Sequence, residues 1–144
     1  MVALSVTDII VSPLKRITVS GGDVLHGIKR SDPGYFGFGE AYFSTVDGGA
    51  IKAWKRHLRM TLNLIVPVGA VQFCFFDSYG KMFTCHASTD SYVRITVPPY
   101  IWFGFKGLSN PYSLLLNISD IPHDPDEVER RNLCEFNFDW ESSS

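Results

Sequence analysis

The stretch TLNLIVPVGAVQFCFF (residues 61–76) contains two apolar runs of strand length that are joined at Gly69. Runs of this length, rich in Val, Ile and Phe, are typical of buried strands, and the single glycine between them predicts a hairpin. Similar short runs, separated by Gly, Pro, Asp and Ser, recur at residues 39–46, 50–54, 92–97, 101–106 and 112–118. Many short strands with regular turn residues indicate an all-β sandwich or barrel.

One segment differs from this pattern, DPDEVERR (residues 124–131). It begins with Asp124, has Pro125 in its first turn and ends in basic residues, as helices often do. We therefore expect one short C-terminal helix in an otherwise all-β chain. The length of 144 residues suits a single domain with a sizeable core, spanning residues 1–144.

The composition is that of an ordinary globular protein, with 45% hydrophobic and 19% charged residues and a formal net charge of −2. A balance this close to neutral argues against general binding of nucleic acid or of anionic membranes. No apolar run approaches the roughly 20 residues that cross a bilayer, and the first residues do not resemble a signal peptide. Three cysteines without CxxC spacing predict neither a disulfide framework nor a zinc knuckle, so we expect a cytoplasmic protein.

The segment AIKAWKRH (residues 50–57) reads as a strand whose second half is strongly basic. From Lys52 to Arg59 the chain carries several basic side chains and no acidic one. Such a run is either a strand end that lies in water or an anion site at the mouth of a barrel. The residues alone leave both interpretations open.

Three longer segments, in this order and spacing, resemble the dTDP-4-dehydrorhamnose 3,5-epimerase family of RmlC-like cupins. They are GEAYFSTVDGGAIKAWKRH (39–57), TLNLIVPVGAVQFCFFD (61–77) and YVRITVPPYIWFGFKGLSNPYSLLLNISDIPHDPDEVER (92–130). The resemblance covers most of the chain and implies a jelly-roll β-barrel that works as a homodimer, without a metal or organic cofactor. It also implies a nucleotide-linked 4-keto-6-deoxyhexose as substrate. A base removes the proton next to the ketone, at C3 or C5, and an acid returns it on the opposite face.

The sequence can also be examined for the ligands of a cupin metal site. Such a site takes an HxH pair from one strand and another histidine from a later strand. In this sequence Lys55 occupies the first of these positions, His57 the second and Phe103 the later one. Because an ammonium group and a phenyl ring do not bind divalent ions, we expect no metal.

The resemblance also implies roles for individual residues. Lys55 stands where the family has its catalytic histidine, and Lys52 matches the arginine of the same R-G-L-H motif. The family's acid, a tyrosine, falls at Leu116, and the acidic partner of its histidine belongs to a C-terminal segment that we expect this chain to lack. The candidate catalytic residues are Lys55 and His57, and the candidate substrate-binding residues are Lys52, Arg59, Ser44, Tyr42, Glu40, Trp102 and Asn117.

Three functions remain open. In the first, Lys55 or His57 has taken over proton transfer, and the protein is a sugar-nucleotide epimerase of deoxysugar or surface polysaccharide biosynthesis. In the second, the protein is a catalytically silent cupin that binds a sugar nucleotide or partners another enzyme. In the third, the same enolate chemistry serves a ketoisomerisation. Because side chains alternate along a strand, either Trp102 or Phe103 faces the cavity, and the other face needs a covering layer from a dimer or a second sheet.

Overall fold

The computed structural model describes residues 4–141, and its regular structure is almost entirely β. The strands are β1 (Ile10–Pro13), β2 (Arg16–Ile17), β3 (Val24–Leu25), β4 (Glu40–Asp47), β5 (Ile51–His57), β6 (Leu62–Val68), β7 (Ala70–Phe76), β8 (Met82–Ser88), β9 (Val93–Val97), β10 (Trp102–Gly107), β11 (Tyr112–Ser119) and β12 (Val128–Arg130). Short 3-10 turns occupy Val6–Asp8, Pro125–Glu127 and Leu133–Glu135. The predicted all-β class is confirmed.

The longer strands form two five-stranded antiparallel sheets. The first sheet has the order β1-β9-β6-β11-β4, and the second has the order β12-β5-β10-β7-β8. Strands β2 and β3 form a separate two-stranded ribbon. Neighbours in each sheet are mostly distant in sequence, so the sheets are assembled by long-range pairing.

The inner faces of the two sheets enclose the main core. The first sheet contributes Leu62, Leu64, Val66, Ile95 and Leu115, and the second contributes Val71, Phe73, Phe75 and Phe103. These side chains alternate with outward-facing residues along each strand, as the two-residue period of a strand requires. Each fully buried aliphatic or phenyl side chain contributes about 1.5–3 kcal/mol to folding through the hydrophobic effect.

The prediction of a hairpin over residues 61–76 is wrong, because β6 and β7 belong to different sheets. Gly69 redirects the chain from the first sheet to the second, with φ at +89°. A Cβ atom there would lie 2.4 Å from Ser113 Oγ and 2.9 Å from Ser113 Cα. The tight connection requires a glycine, as expected, but both apolar strands find their partners elsewhere in the chain.

The outer face of the second sheet carries its own aromatic cluster. Trp54, Cys74, Phe76, Trp102 and Trp140 are buried there, with Phe136 and Phe138 packed against them. This face is covered by the C-terminal segment of the same chain, so the expectation of a covering layer from a dimer or a second sheet is wrong. Phe103 faces the core and Trp102 faces this outer cluster, which settles the alternation that the sequence left open.

The predicted C-terminal helix is also wrong. Asp124 caps a single 3-10 turn by accepting a hydrogen bond from the amide of Asp126, and the chain then enters β12. Strand β12 pairs antiparallel with β5, and Val128 lies opposite His57. The residues typical of a helix start do begin a turn. The residues that follow pair with β5, and this pairing supplies the backbone hydrogen bonds that a longer helix would have made. None of the helical segments in residues 4–141 has the length or apolar character needed to cross a membrane.

Candidate active site

Strand β5 carries the basic run and extends to His57, as the strand predicted for residues 50–57 does. Lys55 pairs in register with Phe103, and Lys52 pairs with Phe105 after a bulge. Both phenylalanines pack inward, in the core or against it. Because directly paired residues point to the same side of a sheet, both lysines face the interior.

The side chain of His57 is paired with a buried carboxylate. His57 Nδ1 lies 2.5 Å from Glu127 Oε1, and the two side chains are 8% and 1% exposed. Glu127 Oε2 accepts hydrogen bonds from the backbone amides of Leu58, Arg59 and Met60, each at 3.2 Å. The carboxylate is thereby fixed beneath the end of β5, and it orients the imidazole.

The electrostatics of this pair favour a neutral imidazole beside an ionised carboxylate. Burial lowers the pKa of His57, and its interactions with Glu127 oppose this only in part. Burial on its own raises the pKa of Glu127, but hydrogen bonds from His57 and from the backbone amides outweigh it, so the pKa lies below the ordinary value. A neutral imidazole that donates its Nδ1 proton to a carboxylate keeps Nε2 free to accept a proton. His57 Nε2 is buried, with no hydrogen-bond partner within the described residues.

Lys55 lies next to His57 on the same side of β5. Its ammonium nitrogen is 5.7 Å from the centre of the Phe103 ring, and the imidazole of His57 stacks on that ring at 6.2 Å. Burial lowers the pKa of Lys55, and the nearby charges of Arg130 and Lys52 lower it further. His57 and Lys55 therefore both lie near the Phe103 ring, and the pKa of each is below its ordinary value.

A cavity of about 340 Å³ opens beside this pair. Its inward-facing lining includes Lys52, Lys55, Phe103, Phe105 and Arg130. Arg130 comes from β12, where it pairs in register with Lys55. With Trp54 and Arg131, which also line it, the cavity combines four cations with three aromatic rings, a composition that suits a ligand with anionic and planar parts.

Strands β4 and β11 of the first sheet carry four further candidate residues on their inner face. Asn117 is buried and its amide nitrogen lies 3.2 Å from Ser44 Oγ. Tyr42 pairs with Asn117 and Glu40 pairs with Ser119, which places both on the inner face of the first sheet. Burial raises the pKa of Tyr42, and the charge of Glu40 raises it further.

Of the candidate residues, Lys52 and Lys55 line the cavity, and His57 lies beside Lys55 on β5. Glu40, Tyr42, Ser44 and Asn117 lie on the inner face of the first sheet without lining it, and two further candidates lie elsewhere. Arg59 follows the end of β5, is exposed and forms an ion pair with Asp124 at 2.8 Å. Trp102 lies in the outer aromatic cluster, where the guanidinium carbons of Arg56 and Arg131 sit 4.8 and 4.5 Å from its ring centre. Neither residue lines the cavity, because Arg59 lies beyond the strand and Trp102 is on the opposite face of β10.

Two site residues were not anticipated from the sequence, Glu127 and Arg130. Glu127 is an acidic partner for a histidine, which the chain was expected to lack, and Arg130 is one of the four cations of the cavity. Both lie in the segment that was predicted to be helical. The only sequence signal for them was the concentration of charge in that segment, which does not reveal its pairing with β5.

A second hollow, of about 500 Å³, lies between β1 and the loop at residues 26–33. Its buried cation is Arg94, which donates to the backbone oxygens of Gly27 and Pro33 and pairs with Asp32 at 3.3 Å. Arg94 therefore anchors the loop. Within residues 4–141, no group of three or more His, Cys, Asp and Glu side chains is arranged to hold a metal ion.

Comparison with known proteins relates the chain to sugar-nucleotide enzymes. No protein-family model matches it. The crystal structure of a dTDP sugar isomerase from Desulfovibrio desulfuricans G20 is 31% identical, covers 100% of this chain and 97% of its own, and superposes with a TM-score of 0.91. A probable low-salt glycan biosynthesis epimerase, Agl13 from Haloferax volcanii, is 28% identical over 100 residues. That match takes in 65% of this chain and 64% of the relative, which is less than two thirds of the relative's length.

A third protein supports the fold alone. The dTDP-4-dehydrorhamnose 3,5-epimerase from Elizabethkingia anophelis NUHP1 is 13% identical, with a TM-score of 0.75 over 98% of this chain and 86% of its own. The predicted jelly-roll architecture is confirmed by these superpositions.

Proposed function

Because this chain belongs to the RmlC-like family of dTDP-sugar isomerases and epimerases, we propose that it epimerises a nucleotide-linked 4-keto-6-deoxyhexose. The reaction is proton transfer at a carbon next to the ketone. The observation that carries this proposal is the buried pair of His57 and Glu127 beside a cavity lined by cations.

His57 is the base in this scheme. Glu127 holds the Nδ1 proton, so that Nε2 carries the lone pair that receives the proton from carbon. The buried carboxylate also stabilises the imidazolium that forms, because an opposite charge at hydrogen-bond distance favours the protonated ring. This role falls to His57, two residues after the position of the family's histidine, because His57 is the residue in contact with a carboxylate.

Lys55 stabilises the negative charge that develops on the ketone oxygen. A protonated lysine in a cavity with little water stabilises an enolate more strongly than it would in bulk water, because the effective dielectric constant of the cavity is lower. Lys52 is more exposed than Lys55, and its ammonium nitrogen lies 3.3 Å from the backbone oxygen of Thr45. It is placed to neutralise the diphosphate of the nucleotide.

The proposal extends to a homodimer in the cytoplasm. Phe36, Phe38 and Phe43 are each more than 60% exposed, and neighbouring exposed phenyl rings are a common sign of a protein interface. The three cysteines are unpaired, as suits a reducing compartment. Light scattering of the purified protein tests the dimer, and a monomer at micromolar concentration would contradict it.

Turnover and binding together test the function. We expect dTDP-4-keto-6-deoxyglucose to be converted by the wild type and not by His57→Asn, as followed by proton NMR. Calorimetry should show that both proteins bind the nucleotide sugar. His123→Asn is the matched control, because His123 is exposed in the loop before the 3-10 turn at Pro125–Glu127. Binding by the wild type without conversion would favour the catalytically silent cupin instead.

A further inference from the structure

The contact between His57 and Glu127 depends on a very short strand. Strand β12 begins at the residue after Glu127, and Val128, its first residue, lies opposite His57. It is the terminal strand of its sheet, and β5 is its only partner among the described strands. A short edge strand gains little stability from its own hydrogen bonds, so contacts outside the ladder decide how firmly it is held.

Arg56 supplies such a contact on the outer face of the sheet. It pairs in register with Glu129, the middle residue of β12. Arg56 Nε donates to Glu129 Oε1 at 2.9 Å, and Nη2 donates to the same oxygen. Because side chains alternate along a strand, Arg56 lies on the face of β5 opposite to Lys55 and His57. This bridge therefore joins β5 to β12 from outside the cavity.

The indole of Trp102 fixes the position of Arg56. Trp102 is 4% exposed, and the guanidinium carbon of Arg56 lies 4.8 Å from its ring centre. The guanidinium carbon of Arg131, the residue after β12, lies 4.5 Å from the same ring. Both distances are within the roughly 6 Å of a cation–π contact. Trp102 thus contacts one cation from β5 and one from the end of β12, and ties both strands to β10.

The charges of this assembly are balanced. Arg56 is paired with Glu129, and Arg131 Nε lies 3.8 Å from Glu135 Oε2. The two guanidinium groups can therefore share one indole without an unpaired charge. Ion pairs between long, exposed side chains contribute little to stability, but the side chain of Arg56 is only 19% exposed. Its stacking on Trp102 restricts the side chain to the geometry that the bridge to Glu129 needs.

Resting on the function proposed above, we propose that Arg56 is a positioning residue, which acts through β12 to hold Glu127 against His57. Trp102 orients Arg56. Arg56 in turn holds Glu129, two residues after Glu127. Without this bridge β12 separates from β5 more often, and His57 then loses the carboxylate that orients its ring. Arg56 does not line the cavity, so its effect on the reaction is indirect.

The first test is Arg56→Gln, with Lys106→Gln as the matched control. Lys106 also carries an ion pair from this sheet to the C-terminal segment, with Glu141 at 2.9 Å. It lies opposite Ile51, at the other end of β5 from β12. We expect Arg56→Gln to lower kcat by roughly 10- to 100-fold, because a small misplacement of a catalytic group costs about that much. Lys106→Gln should behave as the wild type.

The same change in a Glu127→Gln background separates positioning from a general loss of structure. If Arg56 acts through Glu127, Arg56→Gln lowers kcat no further there, because the contact that it holds is already lost. KM should rise in both backgrounds, since β12 also carries Arg130 of the cavity lining. Urea unfolding of each variant establishes that the assays are made on folded protein.

The Nδ1 proton of His57 gives a readout that does not depend on turnover. A ring N–H that is buried and bonded to a carboxylate exchanges slowly with water, and its proton resonance lies well downfield of an ordinary imidazole N–H. We expect this signal in ¹H–¹⁵N spectra of the wild type and of Lys106→Gln. It should be lost in Arg56→Gln, because the ring no longer has a fixed partner.

The outcomes separate the two proposals. If the wild type converts no substrate but Arg56→Gln alone loses the signal, the proposed function fails and the positioning of Glu127 by Arg56 stands. If Arg56→Gln keeps both the signal and the wild-type kcat, the positioning role is overturned. An equal fall in kcat in the wild-type and Glu127→Gln backgrounds would also overturn it, because Arg56 would then act by another route.

Discussion

His57 Nδ1 and Glu127 Oε1 lie 2.5 Å apart, although 70 residues separate them in the sequence. The contact exists because β12 pairs with β5 and brings the preceding 3-10 turn beneath the end of that strand. It fixes the orientation of the imidazole, as the proposed role of His57 as base requires.

Glu127→Gln should reduce kcat by roughly 10²-fold, which is within the range that general-base catalysis contributes. A glutamine amide can hold the ring only weakly and does not stabilise the imidazolium. The variant should also lower the pKa of His57 further, because an interaction that raises it is lost. Both effects are measured in one pH–rate profile. An unchanged kcat with an unchanged acid limb would show that Glu127 serves the fold alone.

The pH dependence of kcat/KM should have two limbs. Activity falls as the pH drops through the pKa of His57, which burial holds below its ordinary 6.5, because the protonated ring cannot accept a proton. Activity also falls as the pH rises through the pKa of Lys55, which burial and the neighbouring cations hold below 10.5, because the ammonium charge is then lost.

Lys55→Met tests the origin of the alkaline limb. The variant should have a much lower kcat and no alkaline limb that belongs to position 55. Lys81→Met is the control, because Lys81 is exposed in the turn between β7 and β8. An alkaline limb that survives unchanged in Lys55→Met would remove Lys55 from the chemistry.

Lys52→Gln should raise KM for the nucleotide sugar by about 10- to 100-fold, since hydrogen bonds to charged groups contribute about 1.5–3 kcal/mol. The kcat should change little, because the diphosphate is bound equally in the ground state and the transition state. Arg16→Gln, which removes an exposed ion pair with Asp23, is the matched control. A fall in kcat at constant KM would place Lys52 in the chemical step instead.

Trp140→Ala should lower the free energy of unfolding by about 3–5 kcal/mol, as large-to-small changes of buried aromatic residues do. The indole is 6% exposed, and its ring centre lies 5.6 Å from that of Trp54 and 4.6 Å from that of Phe138. Urea unfolding measures the change. Leu133→Ala, at a position that is 47% exposed, should change stability by no more than about 0.5 kcal/mol. Equal effects of the two changes would show that the C-terminal segment does not seal the sheet.

The sequence predicted the fold class and most strands because apolar runs and turn residues are local signals. It did not predict which strands pair. The runs on either side of Gly69 enter different sheets, and the face of Trp102 depends on the C-terminal residues that pack over it. Strand β8 was missed because only Phe83, Cys85 and Ala87 of its residues pack toward the core.

The basic residues of β5 could also be predicted from the sequence, because they form a continuous run, which is a local signal. Glu127 was missed because its role depends on long-range pairing of a segment with helix-start residues. The resemblance placed the base at position 55, whereas the contact with a carboxylate distinguishes His57. Contacts of this kind follow from the assembled sheets and leave no local pattern.

The central claim is that His57 removes a proton next to the ketone, and deuterium exchange measures that step directly. Wild type, His57→Asn and His123→Asn are incubated with dTDP-4-keto-6-deoxyglucose in D2O, and the C3 and C5 protons are followed by NMR. The account predicts exchange by the wild type and by His123→Asn, and a loss of about 10²–10⁴-fold in His57→Asn. Exchange by His57→Asn at the wild-type rate, or none by the wild type above the rate in buffer, would contradict it.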